Sequence, residues 1–566
     1  GVFPRTAKII TLSDEVRTAL DTDVDSATPD ELISIILRAP VDLLWNGGIG
    51  TYIKAADEPH QDVGDKANDA IRVDARDLRC RVIGEGGNLG VTQRGRIEFA
   101  DQRGRVYTDA IDNAAGVDCS DHEVNIKILL DRVVADGDMT HKQRNELLVD
   151  MTSEVALLVL SNNYSQTQAL STAVVGAASL VDVHARYLTT LESDGLLDRQ
   201  LEHLPDTDGL AERRLAGRGL TAPELAVVLA YTKNNLQSDL LESSVPDDEA
   251  FLPLLQDYFP TPLRRQFGDR IARHRLRREI VANRVANLVV DRGGTSMTYR
   301  LTQETSAPSH EIAAAHMVAW EIFQLDDLAK TVNALDNVMA ADEQMAIHLA
   351  ARQLAERATR LLVRTRPYPF SAADAIADLA EPIQETIAHL PEFFVGADHV
   401  AFESRVDELV AAGTPADLAS RTAALGPAVA ALDIVAISTK GSLPLADVAA
   451  MHFAIADALE LNWLRDRILA LPRDNQWSSL ARLTLRGDLY ADHRELTAHV
   501  ASLPDDDNDP LDRVERWLGL HAAPVAYFRG TVAEIRSLAT TDLTTLLIAS
   551  REVRNLISRT GSAPAG

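Results

Sequence analysis

The chain has 566 residues and a formal net charge of −28, and this length predicts several domains rather than a single core. The negative charge argues against nucleic acid or an anionic membrane as a partner, since both require a basic surface. No apolar stretch reaches the roughly 18 residues of a membrane span, and the best candidate, 425–438, is interrupted by Asp433. Two cysteines cannot build a disulfide framework, so we expect a cytoplasmic protein.

The beginning of the chain predicts that it is part of something longer. Residues Gly1 to Lys8 contain no apolar core of the length that a signal peptide needs. The first residue is glycine rather than methionine. We therefore expect this chain to be the C-terminal part of a larger polypeptide.

The first 135 residues are predicted to alternate helices and strands. A capping box at 28–31, with proline in the first helical position, begins a helix that Pro40 ends. Residues 41–45 follow as a predicted short buried strand, which leads into the glycine loop 46–50. The same order recurs as a helix near 65–73, a strand at 81–83 and a glycine loop at 84–90. Such units predict a parallel sheet whose strands end at a ligand crevice.

Helical periodicity takes over after about residue 136. A second capping box, at 221–224, precedes a helix whose apolar residues share one face. Breaks rich in proline, aspartate and glycine interrupt the helical pattern further along. We predict an α/β part at 1–135 and a large, mostly α-helical domain at 136–566. Sub-boundaries are predicted near 205, 247 and 505.

The loop Gly84-x-Gly86-x-x-x-Gly90 leaves three interpretations open. Its spacing does not match the dinucleotide fingerprint, so it is a weak candidate for the main pyrophosphate site. It is a better candidate for a loop that borders a cofactor at the end of a late strand, because Asn88 offers both a donor and an acceptor. A plain glycine turn is the third interpretation.

The stretch 109–127 is the most informative one for chemistry. Small residues from Asn113 to Val117 predict a turn that a ligand can approach closely. Ser120, with Glu123 three residues later, predicts a capping box and the beginning of a helix. The free N–H groups of a helix N-terminus attract an anion. Ser120 is therefore either a cap alone or also part of a pocket for a negatively charged substrate.

Other chemistry-bearing residues give weaker signals. His122 has no second histidine at metal spacing, and neither cysteine has a partner, so no metal site is predicted. No nucleophile–base set can be assembled by position. Eight arginines between 262 and 284 form a basic island. We expect them to bridge to the chain's own acidic faces, with a regulatory anion site or an acidic docking surface as the alternative.

Several segments resemble the large bacterial NAD-specific glutamate dehydrogenases. The resemblance is most specific over 39–54, 83–93 and 108–130, and it continues in 213–231 and 272–294. It implies oxidative deamination of L-glutamate to 2-oxoglutarate and ammonia, with NAD as the cofactor. It also implies that the α/β part is an incomplete Rossmann-like, doubly wound domain.

The resemblance implies six site residues. Asn88, in Gly86-Gly-Asn88, would face the nicotinamide of NAD, and Asn113 would also touch the cofactor. Gly116 and Val117, in Asn113-Ala-Ala-Gly-Val117, would line the glutamate pocket, although Ala115 stands where the family has glycine. Ser120 would contact the side-chain carboxylate of the substrate. Asn46, in the loop after the preceding strand, would border the cofactor.

The resemblance also implies what this chain lacks. The family's catalytic lysine and aspartate, the pyrophosphate fingerprint and the acidic ribose ligand precede this part of the fold. No catalytic residue is therefore assigned here, and we expect these groups on an upstream portion of the same polypeptide. The chain alone would be inactive, and the enzyme a homo-oligomer. The alternatives are a non-catalytic regulatory or scaffolding protein, and an unrelated enzyme that binds phosphate at 84–90.

Overall fold

Helices dominate the computed structural model, which describes residues 2–367, 369–472, 476–504, 509–538 and 540–560. The chain divides into two compact units, Gly1–Ala313 and Ala314–Gly566. The α-helices, numbered in chain order, are α1 (Asp14–Leu20), α2 (Pro29–Leu37), α3 (His60–Val63), α4 (Gln93–Asp101), α5 (Asp109–Asp112), α6 (Ala114–Ala135), α7 (His141–Asp150), α8 (Thr152–Gly176), α9 (Val181–Ser193), α10 (Thr207–Leu215), α11 (Ala222–Leu241), α12 (Leu252–Tyr258), α13 (Thr261–Ile271), α14 (Arg277–Gly293), α15 (Met297–Thr305), α16 (Ser309–Ile322), α17 (Leu325–Asn333), α18 (Ala341–Thr365), α19 (Ala372–His389), α20 (Gly396–Ala411), α21 (Ala416–Ala424), α22 (Ala430–Gly441), α23 (Leu445–Ala458), α24 (Leu461–Leu469), α25 (Gln476–Ala501), α26 (Pro510–Leu520), α27 (Ala522–Ser537) and α28 (Leu543–Thr560).

The strands are short and all lie near the beginning of the chain. They are β1 (Ile10–Thr11), β2 (Ser26–Ala27), β3 (Leu43–Asn46), β4 (Ile53–Lys54), β5 (Val73–Asp74) and β6 (Val82–Glu85). β1 and β2 pair antiparallel, whereas β3 pairs with β6 and β4 with β5 in parallel. The described strands therefore form three two-stranded sheets, which include the predicted parallel pair but do not amount to a Rossmann-like sheet.

The register of β3 and β6 places both glycine loops at one edge. Leu43 lies opposite Val82, and Asn46 lies opposite Glu85, so both strands end side by side. Behind them is a core of buried apolar residues packed on α4, including Ile53, Ile83 and Phe99. The predicted parallel arrangement of these two strands is confirmed.

The prediction of a short buried strand at 41–45 is wrong in its bounds and in its burial. The strand begins at Leu43, and both Leu43 and Trp45 have more than half of their surface exposed. Leu44 packs on the core from the other face. The apolar run suggested cover on both faces, as parallel sheets usually have, but the described residues cover only the face of Leu44.

The predicted helix near 65–73 is also wrong. A 3-10 turn at 66–68 and strand β5 occupy this stretch. The Asp65 carboxylate accepts hydrogen bonds from the Thr51 N–H at 2.8 Å and from the Asn68 amide at 2.6 Å. Aspartate and asparagine that bond locally in this way stabilise turns at the expense of helices.

The predicted helical region after 136 is confirmed. All described elements beyond β6 are helical, and the capping boxes at Thr28 and Thr221 begin α2 and α11 as predicted. The compact units divide at residue 313, so the domain boundary at 135, which coincides with the end of α6, stays a prediction. The sub-boundaries near 205 and 247 fall between α-helices, the latter at a 3-10 turn, and the one near 505 lies outside the described residues.

The apolar stretch around residues 425–438 forms part of a helix pair. Among the described residues, no single helix has the length and composition to cross a bilayer. The segments Ala416–Ala424 and Pro427–Gly441, bent by 56°, meet those criteria only when taken together.

The burial of α6 generates a stability prediction. Leu130 is fully buried in this helix, so Leu130→Ala should lower the local free energy of unfolding by about 2–5 kcal/mol. Hydrogen exchange of the α6 amides measures that energy. Leu215→Ala is the matched control, because Leu215 is 84% exposed and its truncation should change the energy by less than about 0.5 kcal/mol. Equal effects would contradict the packing of α6.

Candidate functional site

The two glycine loops lie against each other at the carboxyl ends of β3 and β6. The backbone oxygen of Asn46 accepts hydrogen bonds from the N–H groups of Gly86 and Gly87, at 2.8 and 3.1 Å. A Cβ at position 87 would stand 2.4 Å from the Gly48 carbonyl oxygen, and one at position 86 would stand 2.4 Å from the Trp45 ring. The packing of the two loops thus requires these glycines, with no need for a bound phosphate.

A buried ion pair fixes the end of β6. The Arg96 guanidinium, on α4, binds both carboxylate oxygens of Glu85, at 2.7 and 2.9 Å. Both side chains are almost completely buried. The Glu85 carboxylate also accepts the N–H of Val91 at 3.0 Å. Charge-assisted, bidentate bonds of this kind have a defined geometry, so they set the course of the loop between β6 and α4.

Two aspartates of α5 extend this network to the loop. Asp109 lies 3.1 Å from the Arg96 guanidinium, and its other oxygen accepts the Leu89 N–H at 2.7 Å. Asp112 accepts the backbone N–H of Glu85 at 2.9 Å. Burial raises the pKa of Asp112 to about 6, and the negative charge of Glu85 acts in the same direction. The loop after β6 and helix α5 are therefore held as one unit.

This unit brings Asn88 and Asn113 together. The Asn113 side-chain N–H donates to the side-chain oxygen of Asn88 at 2.5 Å, although 25 residues separate them along the chain. Both line a cleft of about 670 Å³. Two of the three residues that the resemblance implies for cofactor binding are thus neighbours at one site.

Asn46 lies apart from that pair. Its side chain faces Gly90, where a Cβ would collide with the amide nitrogen. It lines a smaller cavity, of about 320 Å³, together with Trp45 and Tyr52. Its backbone oxygen, through the bonds to Gly86 and Gly87, supports the loop that carries Asn88.

The predicted helix start at Ser120 is wrong. Helix α6 begins at Ala114, directly after Asn113, so Ser120 lies in its second turn. Glu123 forms an ion pair with Lys127 instead of capping the helix. The predicted turn Asn113–Val117 is helical because Ala114 and Ala115 are strong helix formers, and a single glycine costs only about 1 kcal/mol.

The three predicted substrate residues lie on the outer side of α6. Gly116, Val117 and Ser120 are exposed, and Val117 is exposed to 76%. Val117 also lines the cleft, whereas Gly116 and Ser120 do not. Val117 therefore marks the border between the cleft and the exposed side of α6.

The cleft has a second wall that sequence reasoning missed. Its residues come from four helices of the helical region, and its polar members include Asn162 and Gln166 of α8, Lys233 of α11, Tyr258 of α12, and Arg284 and Asn287 of α14. The only sequence signal was Arg284, the last arginine of the basic island. The other residues look like ordinary polar positions of amphipathic helices.

Asn162 links this second wall to α6. Its amide N–H donates to Asp118 at 2.8 Å, and its oxygen accepts from the Arg284 guanidinium at 2.9 Å. Burial lowers the pKa of Arg284, against the raising effect of Asp118 and other acids. The second cation of this wall, Lys233, forms an ion pair with Asp291 at 2.7 Å.

Tyr258 holds α6 from the buried side. Its hydroxyl donates to Asp121 at 2.7 Å and accepts from the Asn125 amide at 2.8 Å. Its ring stacks on His122, with centroids 4.3 Å apart. Burial, followed by the bond to Asp121, raises the pKa of Tyr258, which keeps the hydroxyl protonated as a donor.

The comparisons with known proteins identify the family. Residues 217–555 match the family model "Glutamate dehydrogenase, C-terminal", and residues 1–173 match "Bacterial NAD-glutamate dehydrogenase, catalytic domain". The chain belongs to the bacterial NAD-glutamate dehydrogenase family. The resemblance seen in the sequence is thereby confirmed.

Three relatives carry the name NAD-specific glutamate dehydrogenase. The one from Pseudomonas aeruginosa is 43% identical over 98% of this chain, and the one from Halomonas elongata is 41% identical over all of it. The relative from Mycobacterium tuberculosis is 39% identical over all of it. The aligned part is 34–35% of each relative, so the chain spans about a third of their length.

Four of the eight arginines of the basic island pair with acidic residues of the same chain. Arg264 pairs with Asp257 at 2.5 Å, Arg270 with Asp136 at 2.5 Å, and Arg277 with Asp247 at 2.7 Å. Arg278 also pairs with Asp247. The expectation that these arginines bridge to the chain's own acidic residues is confirmed for these four.

The raised pKa of Asp112 predicts a pH-dependent stability. Its value is about 6 in the folded chain against an ordinary 3.8, so between pH 4 and 6 the unfolded state ionises first and stability falls as pH rises. The asparagine side chain in Asp112→Asn cannot ionise, and its amide oxygen can still accept the hydrogen bond from the Glu85 N–H. The variant should match the parent near pH 4 and be more stable by roughly 1–3 kcal/mol at pH 7.5.

Urea unfolding at the two pH values measures this difference. Asp150→Asn serves as the control, because Asp150 is exposed and its replacement should have the same small effect at both values. A stability gain at Asp112 that does not change with pH would show that the carboxyl ionises normally in the folded chain.

Proposed function

We propose that this chain forms one side of the active site of an NAD-dependent glutamate dehydrogenase. The reaction is the oxidative deamination of L-glutamate to 2-oxoglutarate and ammonia, and NAD, when bound, accepts the hydride. Family membership supports this activity, as do the names of the three relatives. The single observation that carries the site is the contact between Asn88 and Asn113, which both line the cleft.

The residues present suit the nicotinamide end of NAD. A primary carboxamide has one acceptor oxygen and an N–H donor group, and the asparagine side chains offer the complementary atoms. The network of Glu85, Arg96 and Asp109 fixes the loop that carries Asn88. A pre-organised pair of amides orients the ring without loss of side-chain freedom on binding.

The glutamate is proposed to lie on the exposed side of α6, next to the nicotinamide. Ser120 would donate its hydroxyl to the side-chain carboxylate, and Gly116 would leave room for the substrate beside Val117. Val117 reaches both the cleft and the exposed side of the helix. A glutamate bound beside Val117 would therefore have its reacting carbon close to the nicotinamide in the cleft.

The acid–base lysine is proposed to come from the part of the polypeptide that precedes this chain in longer relatives. Lys54 is buried against Asp74 at 2.5 Å, and Lys233 is paired with Asp291. Lys127 is paired with Glu123 and lies about 10 Å along α6 from Ser120, at 1.5 Å per residue.

We further propose that β3 and β6 belong to a larger, Rossmann-like parallel sheet, within an α/β part that ends near residue 135. A two-stranded parallel sheet with an exposed face is not stable by itself, which supports additional strands and helices on the side of Trp45. A homo-oligomeric assembly and a cytoplasmic location are further predictions from the sequence.

Turnover measurements test this division of the active site. Glutamate-dependent NADH formation should be absent with the 566-residue chain alone and present with the complete polypeptide. Turnover by this chain alone would contradict the proposal that the lysine lies elsewhere. A complete polypeptide that binds neither NAD nor glutamate would favour the regulatory or scaffolding alternative.

Ser120→Ala tests the substrate side in the complete enzyme. The KM for glutamate should rise roughly tenfold, on the scale of one lost charge-assisted hydrogen bond of about 1.5–3 kcal/mol. The KM for NAD should stay unchanged. Ser153→Ala, at an exposed serine of α8, is the matched control. An unaltered KM for glutamate would remove Ser120 from the site.

A further inference from the structure

One cation of the cleft has no acidic partner. Arg284, on α14, is the last arginine of the basic island, and its guanidinium donates to the side-chain oxygen of Asn162 at 2.9 Å. Its Nε is buried and has no hydrogen-bond partner among the described residues. Four other arginines of the island form ion pairs with aspartates. Arg284 forms none with a described residue, although it lines the cleft.

The Arg284 guanidinium is therefore short of bonding partners. A guanidinium carries five N–H donors, and a buried donor without a partner destabilises the folded chain. Burial without a paired anion also disfavours the charged form, and the pKa of Arg284 is lowered accordingly. An anion bound at this side chain would satisfy its donors and offset the buried charge.

The acidic residues that line the cleft are already bonded to other groups. Each of the four contacts a different partner: Asp109 contacts Arg96, Asp118 contacts Asn162, Asp121 contacts Tyr258, and Asp291 contacts Lys233. Asp118 and Asp291 attract the charge of Arg284 only at longer range. A ligand is thus the group that can supply the missing partner of the guanidinium.

The surroundings of Arg284 suit the carboxylate of a small molecule. The volume of the cleft, about 670 Å³, is that of an ordinary small-molecule site. The amide side chains of Gln166, Asn283 and Asn287 line it as well, and they can donate hydrogen bonds without adding charge. The planar fork of a guanidinium matches the two oxygens of a carboxylate.

An inorganic phosphate fits the cleft less well. Four carboxylates line it against two cations, Lys233 and Arg284, so a dianion meets stronger repulsion there than a single carboxylate does. The apolar side chains of Val159 and Leu288 also line the cleft. They offer a contact to the carbon chain of an organic acid, which a phosphate ion lacks.

We propose that the Arg284 guanidinium binds the carboxylate of a small organic acid in the cleft. The acid is either a reactant of the proposed dehydrogenase or a separate effector, and both present the same carboxylate chemistry. The inference goes beyond the proposed function, because binding at Arg284 requires no turnover and Ser120 does not line the cleft. It assigns a ligand-binding role to the region that matches the C-terminal family model.

Acetate is the probe for a direct test with the 566-residue chain. The Nε–H resonance of Arg284, identified by its loss in Arg284→Gln, should shift with acetate and reach saturation. Sodium chloride at the same ionic strength should leave the resonance in place, because a chloride ion cannot bridge two donors of the fork. A resonance that does not move with acetate, or that moves equally with chloride, would overturn the proposal.

Variants of the cleft supply the second measurement. Saturation transfer from the protein to the acetate methyl group reports binding without the arginine signal, and Arg284→Gln should weaken the affinity at least about tenfold, on the scale of a lost charge-assisted bond. Arg270→Gln is the matched control, because Arg270 belongs to the same island, pairs with Asp136 and does not line the cleft. Equal affinities of the two variants would contradict the proposal.

Asn287→Asp keeps the test decisive if Arg284→Gln does not fold. Asn287 lies one helical turn from Arg284 on α14, so a carboxylate at position 287 would pair with the guanidinium and displace acetate. The affinity should again fall at least about tenfold. An unchanged affinity in this variant would show that acetate binds elsewhere.

Inhibition of the complete polypeptide by acetate separates the two sources of the carboxylate. Inhibition that is competitive with glutamate and that Asn287→Asp relieves assigns the Arg284 site to a reactant. Acetate that binds at Arg284 without competing with glutamate assigns the site to a separate organic acid. A complete polypeptide without turnover would contradict the proposed function, whereas the acetate titration of the 566-residue chain would still decide the role of Arg284.

Discussion

The buried ion pair of Glu85 and Arg96 is the interaction on which the candidate site depends. Removing one partner of such a pair leaves an unpaired buried charge, at a cost of about 3–5 kcal/mol. The pair joins β6 to α4, and its extension through Asp109 fixes α5. Because α6 begins immediately after α5, the position of Asn113 relative to Asn88 follows from this one charged network. An apolar core of similar volume would also stabilise the fold. It would lack the defined bond directions of the bidentate pair, which fix the position of Asn113 relative to Asn88.

The helical region contributes residues to the candidate site. The match to the catalytic-domain model ends at residue 173, and the match to the C-terminal model begins at residue 217. The cleft nevertheless has walls from both matched segments. Asn162 connects Asp118 to Arg284. The Tyr258 hydroxyl forms hydrogen bonds with two side chains of α6. In this chain the two matched segments are therefore joined by polar contacts beneath the helix that carries the proposed substrate residues.

Local signals in the sequence predicted local structure well. The capping boxes at Thr28 and Thr221 depend on contacts three residues apart, and both begin helices. The Ser120 capping box has the same pattern and is wrong, because Asn113 with two alanines begins the helix earlier. The contact of Asn88 and Asn113 was accessible only through family resemblance. The second wall of the cleft could not be predicted from the sequence. Arg284 and Asn162 are 122 residues apart along the chain, and the hydrophobic periodicity of single helices does not show which distant helices pack together.

The position of Ser120 inside α6 changes the chemistry that the serine can offer. A helix N-terminus would have added free N–H groups and a partial positive charge to the hydroxyl. In the second turn the backbone N–H groups are already bonded within the helix, and the dipole effect has largely faded. Lys127, on the same side, is neutralised by Glu123. Ser120 can thus orient a carboxylate but cannot balance its charge. If glutamate binds at Ser120 as proposed, the cation that balances its side-chain carboxylate has to come from residues outside α6.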